Sequence, residues 1–202
     1  GFIDQIAAGV YAMLPLGLLT LQKIEKIIAA KMEEAGAQRI LLPALVPKKN
    51  WETTGRWNSF DVLYKVKSRQ EAEYALGATH EEIAAPLVQK FARSYKDFPI
   101  AVYQIQTKFR DELRAKSGLL RGREFLMKDL YSFHIDQKDC DSYYEKIKKI
   151  YFEIFNAAGV GHAVHLTLAS GGSFSKFSHE FQAATLAGED TIYHCAACGF
   201  TV

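Results

Sequence analysis

The segment "IAVYQIQTKFRDE", residues 100–112, alternates in polarity and predicts a β-strand with two unlike faces. Every second side chain of a strand points to the same side of its sheet. The first face carries Tyr103, Ile105, Thr107 and Phe109, and the second carries Gln104, Gln106, Lys108, Arg110 and Glu112. The mostly apolar first face is expected to pack on helices, so the second face forms an unusually polar floor.

A second strand, "REFLMKDLYSF" at residues 123–133, returns after the loop "LRAKSGLLRG" at residues 113–122. Alternation places four side chains on one face of this return segment: Arg121, Arg123, Phe125 and Met127. If Arg110 and Glu112 share that face, the floor combines guanidinium groups, a carboxylate and an aromatic ring. Guanidinium groups bind phosphate oxygens in pairs and a ring stacks on a base, so the floor suits a nucleoside triphosphate.

The charges of this floor also admit a simpler interpretation. In that interpretation, a cross-strand ladder of solvated ion pairs, of the kind that contributes little to stability, joins Arg110, Glu112, Arg121 and Glu124. The chain contains no Gly-rich phosphate loop. A nucleotide bound here is therefore held by side chains on strands.

The segment "GATHEE", residues 77–82, forms a second polar cluster. Thr79 and Glu81 are two residues apart, so in an extended turn they offer a hydroxyl and a carboxylate to a small cation such as an ammonium group. The alternative is a helix N-terminus with Thr79 as its cap and Glu82 three residues later. Such a capping box stabilises a helix by about 1 kcal/mol.

Helices and short strands account for most of the remaining chain. Residues 16–38 predict a long amphipathic helix that Gly36 ends, and the apolar strand "RILLPALV" follows at residues 39–46. Pro43 within that strand indicates an edge, a bulge or a protomer boundary. Two further segments are a helix over residues 140–159 and a strand, Gly-rich turn and strand over residues 164–185. Hairpin-joined strands flanked by segregated helices indicate an α+β fold with an antiparallel sheet.

The composition fits one sizeable globular domain, since 49% of the 202 residues are apolar. A formal net charge of +2 is too small to indicate a strongly basic nucleic-acid surface, although it leaves a local basic patch open. The apolar run near the start is interrupted by Gly9, Pro15 and Gly17, so we predict neither a signal peptide nor a membrane span.

The three cysteines favour a reducing, cytosol-like compartment. Cys140 is isolated, and Cys195 and Cys198 are separated by only two residues, so a disulfide framework is not expected. The segment "HCAAC", residues 194–198, has the spacing of half a zinc site. Reduced thiols in a strand or turn are the alternative, and we assign no metal ligand.

Together these motifs resemble the class II aminoacyl-tRNA synthetases, and among them the bacterial-type prolyl-tRNA synthetases. The helix and "GAQRILLPALVP" are similar to motif 1, at about residues 16–47, with Pro43 at the proline of the motif. "THE" at residues 79–81 resembles the T-x-E signature of the enzymes for proline, threonine and serine. "FRDE" and "RGREF" resemble motif 2, at about residues 103–129. The prolyl assignment rests on longer strings: "RSYKDFPIAVYQIQTKFRDE", "GLLRGREFLMKDLYSFH" and "SHEFQ".

The resemblance implies roles around ATP for matching residues. Arg110 would bind the α-phosphate and the carboxylate of proline, and is the residue implied to be catalytic. Glu112 would orient the adenine amino group or the motif 2 loop, Arg121 would reach the γ-phosphate, and Phe125 would stack on adenine. The role of Arg123 stays open.

The resemblance also implies a proline site. Thr79 and Glu81 would receive the imino group, with Glu81 as its countercharge. Met127 is either a wall for the proline ring or an ordinary core residue, and His179 would close the pocket. At the tRNA acceptor end the implied contacts are Arg114 and Lys116.

The implied activity is that of a cytoplasmic proline–tRNA ligase, which forms prolyl-adenylate from proline and ATP with Mg²⁺ and then charges tRNA. A site rich in arginine and poor in candidate bases suits activation by proximity and electrostatics. Motif 1 implies a homodimer, whereas a core helix within one protomer is the alternative. A catalytically inactive paralogue and a regulatory or tRNA-binding module are the rival functions.

The chain departs from the family pattern after Phe181. Nothing over residues 181–202 resembles motif 3, and neither an editing insertion nor an anticodon-binding domain is recognisable. We therefore expect residues 1–202 to be part of a catalytic domain that stops before motif 3.

Overall fold

Two units, residues 1–145 and 146–202, make up the chain in the computed structural model. The structure describes residues 1–169 and 178–201, and Gly171 and Gly172 of the predicted Gly-rich turn lie outside them. The strands are β1 (Ile3–Ala7), β2 (Val10–Met13), β3 (Gln38–Arg39), β4 (Leu45–Pro47), β5 (Lys65–Lys67), β6 (Glu73–Leu76), β7 (Ile100–Phe109), β8 (Glu124–Phe133), β9 (Val164–Ala169) and β10 (Ser178–Ala183). The helices are α1 (Pro15–Glu34), α2 (Lys48–Thr53), α3 (Arg56–Ser59), α4 (Glu81–Phe91) and α5 (Gln137–Ala157).

The central sheet of the first unit has the order β3–β7–β8. Strands β7 and β8 run antiparallel from the pair Ile100↔Phe133 to the pair Phe109↔Glu124, which confirms the hairpin. Strand β3 is parallel to β7, so this edge of the sheet departs from a purely antiparallel arrangement. The first face of β7 contacts α1, where the Tyr103 hydroxyl donates to the Glu33 carboxylate at 3.0 Å.

Helix α1 begins one residue before the predicted start and ends shortly before Gly36, as the sequence predicts. Pro15 occupies its first turn. The N–H groups of a first turn have no carbonyl partner within the helix, so the missing N–H of proline costs no hydrogen bond there. Gly36 has a φ of +89°, and the N–H of Ala37 reaches back to the carbonyl of Met32 at 3.0 Å. This left-handed termination is favoured at glycine, so the helix stops there and the chain turns towards β3.

The prediction of one continuous strand over residues 39–46 is wrong. Strand β3 ends at Arg39, and β4 belongs to a different sheet, of order β4–β6–β5. Pro43 lies at the break, because it has no N–H for a ladder and its carbonyl accepts a hydrogen bond from the His80 ring at 3.1 Å. The segment containing Pro43 thus passes from one sheet to the other.

The second sheet and helices α2 to α4 enclose an apolar cluster. Its buried members are Val46, Trp51, Trp57, Leu63, Ala75 and Ala78. Pro86 interrupts the hydrogen bonding of α4, and the freed carbonyl of Glu82 accepts instead from the Asn50 amide at 2.8 Å. The helix that follows the T-x-E segment is therefore held to α2 as well as to the apolar cluster.

The second unit contains the antiparallel pair β9–β10, with register Ser178↔Ala169 to Ala183↔Val164. The ring of Phe181 lies 5.0–5.5 Å from the rings of Tyr151, Phe152 and Phe155 on α5. Within the residues that the structure describes, no helix combines the length and apolar character needed to cross a membrane.

Candidate functional site

The register of β7 and β8 fixes which side chains share the polar face. Gln104 pairs with Asp129, Gln106 with Met127, and Lys108 with Phe125. Directly paired residues point to the same side of a sheet. The expectation that the polar side of β7 and the Phe125 side of β8 form one surface is thereby confirmed.

Glu124 does not belong to this surface. It pairs with Phe109 and so faces the other side of the sheet. The ion-pair ladder that the sequence allowed therefore loses one of its members. The other three side chains line one cavity, as described next.

One end of this surface holds a cavity of about 230 Å³. Its lining residues are Arg110, Glu112, Leu119, Leu120, Arg121, Gly122 and Phe125. The guanidinium carbon of Arg110 lies 5.4 Å from the centre of the Phe125 ring. Four residues that the sequence assigned to ATP, Arg110, Glu112, Arg121 and Phe125, are thus brought together.

Arg110 also reaches the T-x-E segment. It follows the last residue of β7, and its Nε donates to the Ala78 carbonyl at 3.4 Å. Ala78 directly precedes Thr79, so the guanidinium group lies between the Phe125 ring and the second polar cluster. Its main-chain N–H donates to the Arg123 carbonyl at 2.9 Å, which fixes the base of the side chain.

Arg123 braces the loop that joins the two strands. Its Nε donates to the Glu112 carbonyl at 3.0 Å, and a terminal nitrogen donates to the Ala8 carbonyl at 3.3 Å. Its N–H donates to the carbonyl of Gly9, a residue with φ +75°, at 2.7 Å. These contacts assign Arg123 a structural role beside the first cavity, which the sequence left open.

The side chains of Thr79 and Glu81, which the sequence predicts to point the same way, contact each other. The Thr79 hydroxyl donates to the Glu81 carboxylate, and Thr79 is largely buried. The alternative with Thr79 as a helix cap is wrong, because α4 begins at Glu81 and its cap position is His80, with no side-chain capping bond. The Glu81 carboxylate also lies 3.4 Å from Arg56, and its side chain is 40% exposed.

A second cavity, of about 340 Å³, lies beside Glu81. Its lining residues are Glu81, Ala84, Ala85, Leu130, Tyr131, Ser132 and Phe133. Tyr131 lies six positions after Phe125 in β8, which corresponds to roughly 20 Å along the strand. Met127 lies between these two positions on the same face and is partly buried.

Beneath the surface lies a buried polar network that the sequence analysis missed. Lys108 and Gln104 are fully buried, so this part of β7 is not a solvated floor. One carboxylate oxygen of Asp129 accepts from Lys108 at 2.6 Å, from Gln104 at 2.9 Å and from the Tyr131 hydroxyl at 2.9 Å. The Lys108 ammonium group also contacts Nδ1 of His80.

Burial shifts the pKa of three members of this network. Burial lowers the pKa of Lys108, although the neighbouring Asp129 opposes that shift. Burial also lowers the pKa of His80, and the charge of Lys108 acts in the same direction. Burial raises the pKa of Tyr131, with the charges of Glu81 and Asp129 adding to it. The only sequence signal for this network was the two-residue period of the strands, which places the polar residues Lys108 and Asp129 on the same face of the hairpin.

Three further predicted contact residues are not among those that line the two cavities. Arg114 and Lys116 are exposed in the loop, where Lys116 bridges to Arg121. His179 belongs to β10 of the second unit and pairs with Leu168. The roles assigned to these residues stay predictions.

The Cys195 and Cys198 pair occupies an exposed turn of the second unit. The N–H and thiol of Cys198 and the N–H of Ala197 lower the pKa of the Cys195 thiol. Across residues 1–169 and 178–201, no three His, Cys, Asp or Glu side chains are arranged to hold a metal ion. A zinc site at this pair thus has no further ligand among the described residues.

Comparison with known proteins identifies relatives of this chain. Residues 64–202 match the family model described as the tRNA synthetase class II core domain (G, H, P, S and T). The proline–tRNA ligase of Sulfurihydrogenibium sp. (strain YO3AOP1) is 48% identical over 201 residues, which cover 99% of this chain and 36% of that protein. The Bacillus cytotoxicus proline–tRNA ligase is 48% identical over 193 residues, 95% of this chain and 34% of that protein. The chain thus spans about a third of the length of these relatives.

Solved structures share the fold at lower identity. The prolyl-tRNA synthetase of Cryptosporidium parvum complexed with L-proline and AMP superposes with a TM-score of 0.76 at 20% identity, covering 89% of this chain and 37% of that chain. The Giardia lamblia prolyl-tRNA synthetase in complex with prolyl-adenylate gives a TM-score of 0.72 at 23% identity, covering 76% of this chain and 33% of that chain.

Proposed function

Because the chain belongs to the class II tRNA synthetase core family, we propose that it forms part of the active site of a proline–tRNA ligase. The reaction is activation of proline by ATP to prolyl-adenylate and pyrophosphate, followed by transfer of proline to tRNA. The 48% identity to two proline–tRNA ligases supports the choice of proline. The complete protein, rather than this third of its relatives' length, is the unit to which the activity is assigned.

The observation that carries the proposal is the position of Arg110. Its guanidinium group lies 5.4 Å from the Phe125 ring and its Nε lies 3.4 Å from the carbonyl before Thr79. One cation thus lies between an aromatic ring suited to a base and a carboxylate suited to an ammonium group. A mixed anhydride of an amino acid and AMP has this order of parts, with its phosphate in the middle.

ATP is assigned to the first cavity. Phe125 stacks on adenine, Glu112 orients the adenine amino group or the loop, and Arg121 binds the γ-phosphate. Stacking of a base on an aromatic ring contributes about 1–3 kcal/mol. Mg²⁺ would enter as part of the MgATP substrate, so we assign it no protein ligand.

Proline is assigned to the side of Glu81. Thr79 and Glu81 receive the imino cation, and Arg110 binds the carboxylate. Met127 lies on the same face of β8 and walls the ring. The exposed part of the Glu81 carboxylate beside the second cavity supports this assignment, because a countercharge must be reachable by the ligand.

The chemistry of the first step needs no protein nucleophile. A carboxylate oxygen of proline attacks the α-phosphorus, a new P–O bond forms, and the bond to pyrophosphate breaks. Negative charge grows on the phosphoryl oxygens, where the fixed guanidinium of Arg110 stabilises it. Holding both substrates on one rigid sheet also lowers the activation barrier, because the reacting groups are kept close together and in the right orientation.

The tRNA and a second protomer are the proposed partners. Arg114 and Lys116 meet the acceptor end from the exposed loop. Helix α1 exposes apolar side chains at Leu16, Leu18, Leu19 and Ile24, which supports a homodimer through motif 1. Light scattering on the complete protein is expected to give a dimer, and Leu19→Glu is expected to weaken it. We place the enzyme in the cytoplasm, where tRNA is charged.

The deciding experiment is amino-acid-dependent exchange of pyrophosphate into ATP by the complete protein. Exchange is expected with proline and not with threonine or serine. Equal exchange with all three amino acids would overturn the assignment to proline, and no exchange with any would favour a catalytically inactive paralogue or a tRNA-binding module. The occurrence of Arg110, Phe125, Thr79 and Glu81 in one arrangement argues against both rivals.

A further inference from the structure

His80 is fully buried between Thr79 and Glu81, the two residues proposed to receive proline. Its ring has no exposed surface, so it cannot touch a substrate. It nevertheless makes contacts with several other segments of the first unit. These contacts give His80 a different kind of role from that of its two neighbours.

The ring of His80 is held through both nitrogens. Nε2 lies 3.1 Å from the Pro43 carbonyl, which can only accept, so Nε2 carries the hydrogen. In the neutral ring Nδ1 is then an acceptor, and the Lys108 ammonium group donates to it. The lowered pKa of His80 is consistent with this neutral tautomer. One ring therefore joins the break after β3 to strand β7.

The main chain of His80 is held as well. Its N–H donates to the Tyr131 hydroxyl at 3.1 Å, and Tyr131 in turn donates to Asp129. Its carbonyl accepts from the N–H of Ala84 at 2.8 Å, in the first turn of α4. Both peptide groups that flank the residue are thus tied to structure outside the T-x-E segment.

Gly77 makes room for this arrangement. A Cβ atom at residue 77 would lie 2.5 Å from Cε1 of the His80 ring, closer than two carbon atoms can approach. The chain therefore folds back on the ring, with no side chain between them. The position of residues 78–81 therefore depends on the position of the His80 ring.

We propose that His80 is a positioning residue for the amino-acid site, setting Thr79 and Glu81 through its ring contacts with Pro43 and Lys108. The inference rests on the proposed function for the identity of the ligand, although the positioning itself is a property of the chain. Displacement of a binding group by about 1 Å lowers activity by up to about 100-fold. Loss of either ring contact is therefore expected to raise the KM for proline more than the KM for ATP.

The test uses the complete protein with two conservative substitutions. His80→Asn keeps an acceptor near Nδ1 but cannot reach Pro43, and His80→Gln keeps a donor near Nε2 but loses the acceptor for Lys108. Each is expected to raise the KM for proline on the order of 10-fold, with the KM for ATP within about twofold of wild type. The matched control is Tyr103→Phe, which removes a partly buried hydrogen bond to Glu33 on the opposite face of β7. The control is expected to change neither KM.

Hydrogen exchange on the same proteins provides a readout that needs no activity. Amides of residues 79–84 are expected to exchange faster in both His80 variants than in Tyr103→Phe. The comparison is made between variants whose thermal stabilities are equal. If both KM values rise together, or the KM for proline is unchanged, His80 is merely a core residue and the inference fails. If wild-type protein shows no proline-dependent exchange, the proposed function fails. The positioning inference is then decided by hydrogen exchange alone, and unaltered exchange over residues 79–84 overturns it.

Discussion

The Lys108 ammonium group lies 2.6 Å from the Asp129 carboxylate, and Lys108 is wholly withdrawn from solvent beneath the candidate site. The two residues belong to adjacent strands and lie on the same face of the sheet. A charge in such a place is tolerated because its partner is equally fixed, and the same carboxylate oxygen also accepts from Gln104 and Tyr131. We therefore expect this pair to stabilise the pairing of β7 with β8.

Breaking the ion pair is expected to destabilise the fold. Lys108→Met leaves the Asp129 carboxylate buried without its cation, and removal of one partner of a buried pair lowers the free energy of unfolding by about 3–5 kcal/mol. Urea unfolding followed by circular dichroism measures the change. Lys108→Met combined with Asp129→Asn removes both charges and is expected to recover part of the loss. A double variant no more stable than Lys108→Met alone would contradict this account.

Replacement of Arg110 tests the proposed chemistry. Arg110→Ala is expected to lower proline-dependent ATP–pyrophosphate exchange by about 100- to 1000-fold, because a preorganised charge donor to the phosphoryl oxygens is lost. The fold is expected to persist, since Arg110 follows β7 and is only partly buried. Arg123→Ala is the matched control, with a bracing role and a smaller expected effect on exchange. Loss of the circular dichroism spectrum in Arg110→Ala would show a structural role instead.

Two adjacent glutamates are expected to behave differently. Glu81→Gln removes the proposed countercharge for the imino group, and hydrogen bonds to charged groups contribute about 1.5–3 kcal/mol, or roughly 10- to 150-fold in affinity for proline. Glu82 is buried and bonded to Arg56 at 2.7 Å, so Glu82→Gln is expected to lower stability with little effect on the KM for proline. Equal effects of the two variants on the KM for proline would contradict the assignment of Glu81.

His80 is expected to make stability depend on pH. Its pKa is lowered in the folded chain, by burial and by Lys108, so the unfolded state binds a proton that the folded state does not. The free energy of unfolding therefore falls as the pH drops below about 6.5, by up to about 1.4 kcal/mol per pH unit. Comparison of wild type with His80→Gln between pH 7 and pH 5 isolates this term, because the carboxylates contribute to both. An identical pH dependence in the two proteins would show that His80 titrates normally.

Local patterns predicted the parts of the fold that depend on local physics. The period of two over residues 100–112 predicted β7 and the face that Arg110 shares with Phe125, because strand geometry alone sets that alternation. Gly36 predicted the end of α1, because a left-handed φ is open to glycine at little cost. The T-x-E and motif 2 residues were chosen by resemblance, and the structure brings Arg110, Phe125 and the Thr79–Glu81 segment together.

The sequence by itself determined the strand hairpin, the long first helix and the family to which the motifs point. Only the tertiary structure decided that Lys108 is buried, that Pro43 breaks a strand, and that His80 lies beneath the proposed proline site. The physical reason is range. Alternation and capping act within a few residues, whereas burial of a charge depends on a carboxylate 21 residues away and on a ring 28 residues away along the chain. A local sequence pattern cannot predict where those partners lie, because they come together only when both sheets have folded.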